Sequence, residues 1–280
     1  MFMIDAHTHL GAHPAHPVPP ETMMAELRAS GIRGAQFSPW AGTMAHNAED
    51  LRRGNREALE LYAHYADFLY PGVALHPDCP EESLRALDAF RERGLVWVGE
   101  LLSYHCQIPF DDERWMNLFK ICCDRHLIVQ MHNAPEVAEV AAALPELTIV
   151  GSHLSPEVLP ALVDFPNVRI DISGLQGGLC RGTLPKARAM FGAERLLFGT
   201  DAPGYDPAPF VMRVERDFPA EEQPLIFGGN LLRLLKAHGV TAAFGKKLDA
   251  PEVSGGEDSG GSSRLGAAAR KCEEADQWPV

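Results

Sequence analysis

Met1-Phe2-Met3-Ile4-Asp5-Ala6-His7-Thr8-His9-Leu10 is a short apolar run that turns polar toward its end. A buried parallel strand reads this way when its C-terminal end opens onto a site. In an extended chain His7 and His9 leave the same face, with Cα atoms roughly 6.6 Å apart. Two imidazoles at that spacing can converge on one metal ion, each at about 2.0 to 2.1 Å. A lone His-x-His also caps ordinary strands, so the reading depends on what the later strands deliver.

Outward from this strand the chain alternates. The stretch from Gly11 to Pro20 is too rich in proline for regular structure and reads as a loop, with His13 and His16 as mobile candidates. Further strands are expected at 32–38, 69–75, 95–101, 127–131, 147–152, 168–172 and 195–200. Helical spacing is expected at 21–30, 48–66, 81–93, 112–125, 136–144, 158–165 and 184–191. Eight strands, each followed by a helix or long loop, predict parallel pairing. Right-handed crossovers then close them into a single-domain (β/α)8 TIM barrel over residues 1–245.

Active sites of such barrels lie at the C-terminal ends of the strands. There stand His7, His9, Glu100, His132, His153 and Asp201, six metal-capable residues at the ends of strands one, four, five, six and eight. Glu100 interrupts an otherwise apolar run. A buried unpaired carboxylate costs several kcal/mol, so it needs a cation or strong donors as partners. His76, Tyr104 and His105 follow strands three and four; they either line a substrate pocket or are ordinary surface polar groups.

Several pieces resemble the amidohydrolase superfamily, most closely its compact amidohydrolase-related (amidohydrolase 2 type) branch of metal-dependent hydrolases. They are Asp5-Ala6-His7-Thr8-His9, Gln130-Met131-His132, Gly151-Ser152-His153-Leu154, Phe198-Gly199-Thr200-Asp201-Ala202-Pro203 and Phe227-Gly228-Gly229-Asn230-Leu231. The resemblance spans Met1 to about His238. It implies that His7, His9 and His132 are metal ligands and that Asp201 is both ligand and proton carrier. His153 becomes a second-metal ligand or a transition-state donor, and the helix after Asn230 closes the barrel. In TatD-type nucleases a glutamate after strand four helps hold two ions, and Val98-Gly99-Glu100-Leu101 looks similar. Relatives of the decarboxylases generally work with one ion. No lysine ends strand four or five to serve as the carboxylated bridge of other branches, so one ion or two stays open.

The expected cofactor is a divalent metal, zinc first and manganese second. A divalent ion held by imidazoles and carboxylate lowers the pKa of bound water toward ~7, and Asp201 can take that water's proton while His153 or the metal stabilises developing charge. The leading expectation is hydrolysis of a small-molecule amide, ester or lactone. Non-oxidative decarboxylation of an aromatic or unsaturated acid is the alternative, and it calls for a cation near the pocket; Arg181 is the one obvious candidate. A nuclease and a non-catalytic metal-binding barrel rank below these.

The totals agree. At 280 residues and 46% hydrophobic content the chain can bury a large core. The net charge is −13, and from Lys246 onward five basic residues nearly offset seven acidic ones, so the acidity belongs to the body. An acidic body offers nucleic acid no broad basic footprint. No apolar run approaches a membrane span, and the beginning lacks the pattern of a signal peptide. Cys79, Cys106, Cys122, Cys123, Cys180 and Cys272 form neither a disulfide framework nor a paired metal spacing. The expectation is a cytoplasmic enzyme with a small-molecule substrate and no nucleic-acid or membrane partner, compatible with a homo-oligomer. Residues 246–280, rich in Gly and Ser, are expected to be a disordered tail.

Overall fold

The structure is a computed structural model, described for residues 1–11, 18–153, 155–174 and 179–248. His13, His16, Leu154 and the tail beyond Leu248 lie outside these residues.

Eight strands run in chain order around a barrel: β1 (Met3–Leu10), β2 (Ile32–Pro39), β3 (Leu69–Pro71), β4 (Trp97–Leu101), β5 (Ile128–His132), β6 (Thr148–Ser152), β7 (Val168–Asp171) and β8 (Leu196–Leu197). All pair in parallel, as β1-β2-β3 and β4-β5-β6-β7-β8. Two seams join these sheets. At one, Val73 pairs with Val98 and Gly99 N–H donates to Val73 O at 2.8 Å. At the other, Thr8 pairs with Ala202, Ala6 N–H donates to Phe198 O at 2.8 Å, and Asp201 N–H donates to His7 O at 2.8 Å. The ring is thereby closed and β1 lies beside the end of the eighth strand.

Both seams shorten strands that the sequence extends further. β3 stops at Pro71 rather than 75, because a proline cannot donate to a ladder and the backbone of Gly72 runs close against Gly99 O. β8 pairs regularly only at Leu196–Leu197, since residues 198–202 bend across to β1 and Asp201 adopts φ +67°.

The helices follow from their caps and apolar spacing. α3 (Ala48–Tyr65) begins at Asn47, whose Oδ1 accepts from Glu49 N–H and Asp50 N–H at 3.0 Å each, and it buries Leu51, Asn55 and Ala58. α6 (Glu113–Asp124) is capped by Asp112 and buries Trp115, Leu118 and Phe119. α1 (Pro20–Ala29), α4 (Pro80–Arg91), α7 (Val137–Ala143), α8 (Leu159–Leu162) and α9 (Thr183–Phe191) fall within the expected ranges or shift by a residue. Three α-helices among the described residues are additions: one-turn α2 (Trp40–Thr43) and α5 (Ser103–Cys106), and α10 (Pro207–Asp217), which starts at the Asp206 cap with Pro207 in its first turn.

The end of the barrel away from the strand C-termini is shut by apolar contacts. α11 (Asn230–Ala237) is tied beneath β8 by Asn230 Nδ2, which donates to Ala193 O and Leu196 O at 2.8 and 2.7 Å. The body continues past the expected boundary at 245, because β9 (Ala242–Ala243) and β10 (Lys246–Lys247) form a small antiparallel hairpin. Its turn drives Phe244, 3% exposed, against Tyr70 and Gly34. A side chain at Gly34 would strike the Phe244 ring at 2.6 Å, so glycine there makes room for the plug. Lys246 Nζ sits 3.5 Å from the centroid of Phe2. No described helix is long and apolar enough to cross a membrane.

Candidate metal centre

At the opposite end the strands deliver polar side chains into one buried cluster. β1 presents His7 and His9, 0% and 2% exposed, with their Nε2 atoms 3.2 Å apart. β4 presents Glu100, 2% exposed. β5 ends in His132, and His153 and Asp201 follow β6 and β8. All six candidates meet. His7, His9 and Asp201 form one group of potential ligand atoms within 4.8 Å of each other, and Glu100, His132 and His153 form another.

Glu100 joins the two groups. Its Oε2 lies 3.4 Å from both His7 Nε2 and His9 Nε2, while its Oε1 lies 3.2 Å from His132 Nδ1 and 3.7 Å from His153 Nε2. Asp201 Oδ1 completes the first group at 3.2 Å from His9 Nε2 and 3.6 Å from His7 Nε2. Among the described residues, every ion-pair partner of Glu100 is an imidazole. No described lysine or arginine pairs with it.

Sequence reasoning overlooked the residue that orients this cluster. Asp171, at the end of β7 and fully buried, accepts on Oδ2 from Gln130 Nε2 at 3.0 Å and meets His7 Nδ1 at 2.9 Å. Its Oδ1 accepts from the Ser173 and His153 backbone N–H groups at 3.0 and 3.2 Å, and from the Ser173 hydroxyl. Ser173 Oγ, its own hydrogen committed to Asp171, can only accept at His153 Nδ1, 2.9 Å away. Both histidines therefore carry hydrogen on Nδ1, which leaves Nε2, on the Glu100 side, as the nitrogen that can ligate an ion once it is free of a proton. A histidine ligand is oriented in this way when its second nitrogen donates to a carboxylate or hydroxyl.

The remaining supports are local. Asp5 accepts from Thr200 Oγ1 at 2.6 Å and from His7 N–H at 3.0 Å, joining β1 to the residue before Asp201. The His9 ring stacks on Trp40 at 4.2 Å, and its Nδ1 is buried without a hydrogen-bond partner among the described residues. His153 has φ +68° and Asp201 φ +67°, conformations that cost a side-chain-bearing residue roughly 1–3 kcal/mol and cluster at functional sites. Gly174 leaves space for the His153 ring, since a Cβ there would lie 2.5 Å from His153 Nδ1.

The electrostatics are those of a cation site. Burial alone would push Glu100 upward, but the charge of His7 and hydrogen bonds from His132, His7 and His9 hold it well below the usual carboxylate range. Burial opposes charge on His7, yet Asp171 and Glu100 raise it well above an ordinary histidine. Asp171 is held at about 2 against its burial by His7, His153 and Ser173. Asp201 is lowered, again against burial, chiefly by His9 and His7. His153 is pushed down by burial and by His7. The field that favours a proton on His7 equally favours a divalent cation, and binding one would release that proton. The donor set fits zinc or manganese: imidazole nitrogens with preset lone pairs and two carboxylates, one of them buried without a fixed cation.

The other candidates divide. Tyr104, 61% exposed, meets His132 edge-on at 5.0 Å, and its hydroxyl is raised to about 12 by burial and the nearby carboxylates. His76 and His105 line a cleft that shares Glu100 with the cluster. Arg181 is exposed just before α9, and among the described residues no hydrogen bond or ion pair joins it to the cluster.

The amidohydrolase family profile matches residues 4–237, and the chain belongs to that family. A search of curated proteins finds no match. Among solved structures, the chain is similar to 5-carboxyvanillate decarboxylase LigW from Sphingomonas paucimobilis, at 16% identity over 84% of this chain and 98% of that one, with TM-score 0.67. It is also similar to 2,6-dihydroxybenzoate decarboxylase from Rhizobium, at 18% identity, 85% and 99% coverage and TM-score 0.68. An amidohydrolase from Burkholderia multivorans with bound zinc shares 16% identity, 84% and 99% coverage and TM-score 0.62. At such identities the likeness is one of fold.

Proposed function

We propose that the chain is a metal-dependent hydrolase of a small-molecule amide, ester or lactone, with two divalent-ion positions sharing Glu100. The observation that carries this is the division of Glu100 between two ligand groups, Oε2 toward His7 and His9 and Oε1 toward His132 and His153. His7, His9 and Asp201 would hold one ion and His132 and His153 the other, with zinc the first choice and manganese the second. Bound there, a divalent ion supplies Lewis acidity that brings the pKa of a water toward ~7.

Asp201 is placed to manage the proton. Its side chain is 21% exposed, the neighbouring imidazoles keep it ionised, and it faces both the cluster and solvent. It takes a proton from the attacking water and returns it to the leaving group. His153 stays neutral because burial disfavours its charge, and Ser173 and Asp171 fix its ring. His132, with its side chain 31% exposed, and the adjoining Tyr104 form the solvent side where substrate enters.

A second reading, non-oxidative decarboxylation, draws on the two decarboxylases that share the fold. The missing link between Arg181 and the cluster weighs against it. The test is turnover by metal-loaded protein on a panel of esters, lactones, amides and aromatic acids in H₂¹⁸O. Hydrolysis puts one solvent oxygen into the product and stops when a chelator removes the metal. Carbon dioxide release without ¹⁸O in the product would replace this reading with the second.

A further inference from the structure

The cleft that shares Glu100 with the cluster is narrow and also lined by Thr43, His76, Leu102, His105 and Trp115. His76 is 9% exposed, and its Nδ1 accepts the backbone N–H of Asp78 at 3.2 Å. Neutral imidazole then carries its hydrogen on Nε2. Burial favours that neutral form by pushing His76 below the ordinary histidine range; Asp78 opposes this, and His105 and His46 add to it. No hydrogen bond is made by His76 Nε2 among the described residues. His105 packs its ring on His46 at 4.6 Å between centroids, and its Nε2 is buried with no partner among those residues.

The other groups around the cleft are already engaged. Trp115 Nε1 donates to Ile108 O at 3.1 Å, and the Cys106 thiol lies against the backbone oxygens of Ser103 and Leu102 at 3.4 and 3.7 Å. Asp78 pairs with Arg114 at 2.7 Å. Glu100, a carboxylate lining the cleft, is turned to the four imidazoles of the cluster. Two ring nitrogens thus lack a partner among the described residues; that of His76 is a donor by its tautomer and calls for an acceptor, which His105 can share in its Nε2–H tautomer. A metal does not suit the cleft, because the His76 Nδ1 lone pair is in use. Among the described residues every side-chain group able to hold an ion belongs to the main cluster.

We propose that His76 and His105 form a subsite for a carboxylate of the substrate, remote from the bond that is broken, so that the enzyme selects acids carrying a second polar end. This rests on the metal-dependent reading above. The His76 N–H, joined by that of His105 in its Nε2–H tautomer, suits the two oxygens of one carboxylate, and hydrogen bonds to a charged group in a desolvated site are worth about tenfold or more in affinity.

The experiment titrates the zinc-loaded full chain, with its metal counted in the same sample, with malonate, succinate, glutarate and adipate. Each is set beside the monocarboxylate of equal carbon number. At least one diacid should bind about tenfold or more tighter than its partner. That advantage should fall within about twofold in the His76→Phe/His105→Phe double variant and partly return when His76→Gln replaces His76→Phe. In the wild-type chain, NMR of the His76 and His105 ring signals should show a shift with the diacid and none with the monoacid, which decides the matter even if the double variant does not fold. Full metal content with no diacid advantage, or an advantage untouched in the variant, overturns the subsite. If the chain holds no metal, the hydrolase reading falls; ring signals unmoved by succinate would then overturn the subsite separately.

Discussion

The two ends of the barrel are made from the same strands and obey opposite physics. At one end Phe244 in the turn of a short hairpin packs on Tyr70 and Gly34, Lys246 lies over Phe2, and His238 ties α11 to the body through His126 O at 2.6 Å and Thr148 Oγ1 at 3.1 Å. Hydrocarbon is removed from water there, and the polar groups find partners. At the other end six titratable side chains crowd together, and His9 Nδ1 lacks a partner among the described residues. Folding draws its stability from the first arrangement and tolerates the second. The difference teaches that substitutions at the two ends should separate stability from ion binding.

The largest effect is expected at the plug. Phe244→Ala should cost ~3–5 kcal/mol of stability, the range for deleting a buried aromatic ring, while ion stoichiometry at low temperature stays at the wild-type value. Denaturant unfolding and elemental analysis check both halves. A plug variant that loses its ions while remaining folded would break the separation.

Asp171→Asn should do the reverse. An amide placed among the donors that serve Asp171 leaves hydrogen atoms facing each other, so affinity for the ion held by His7 should fall roughly 10- to 100-fold in a chelator competition. It should also change the acid limb of stability. The wild-type carboxyl is held at about 2 in the folded chain against an ordinary 3.8. Its contribution is therefore complete above about 4 and is lost as pH falls toward 2, at roughly 1.4 kcal/mol per unit of pKa difference. The wild-type advantage over the variant should shrink across that window. An advantage that is constant from pH 5 to pH 2 would contradict the role given to the charge.

Ser173→Ala is the finest cut. It removes the acceptor at His153 Nδ1 while leaving His7 on Asp171, so only the ion on the His132 and His153 side should weaken, by about tenfold. Equal weakening of both ions would mean that Ser173 supports the whole loop.

These separations also explain how much the chain discloses before it folds. The alternation of strands and helices is written in local spacing, and the ligands stand out because each ends an apolar run. The helix at 207–217 has equally local signals, Asp206-Pro207 at its start and Phe210, Val211 and Val214 along one face, but Pro203, Pro207 and Pro209 crowd its approach and suit a loop as well. The shortened β3 and β8 could not be read from their own residues, since the partners that bend them belong to other strands. Asp171 shows the same limit in the site. A carboxylate within Val168-Arg169-Ile170-Asp171-Ile172 invites the question asked of Glu100, yet its answer is a histidine 164 positions earlier in the chain.

The account turns on Glu100 as the side chain shared by two ion positions, and counting ions tests it most directly. Wild-type protein saturated with zinc and freed of excess should carry two ions per chain, and Glu100→Gln should carry one or fewer while its fold, followed by circular dichroism, is retained. A wild-type chain that saturates at one ion, or a Glu100→Gln chain that holds two with unchanged affinity, would contradict it.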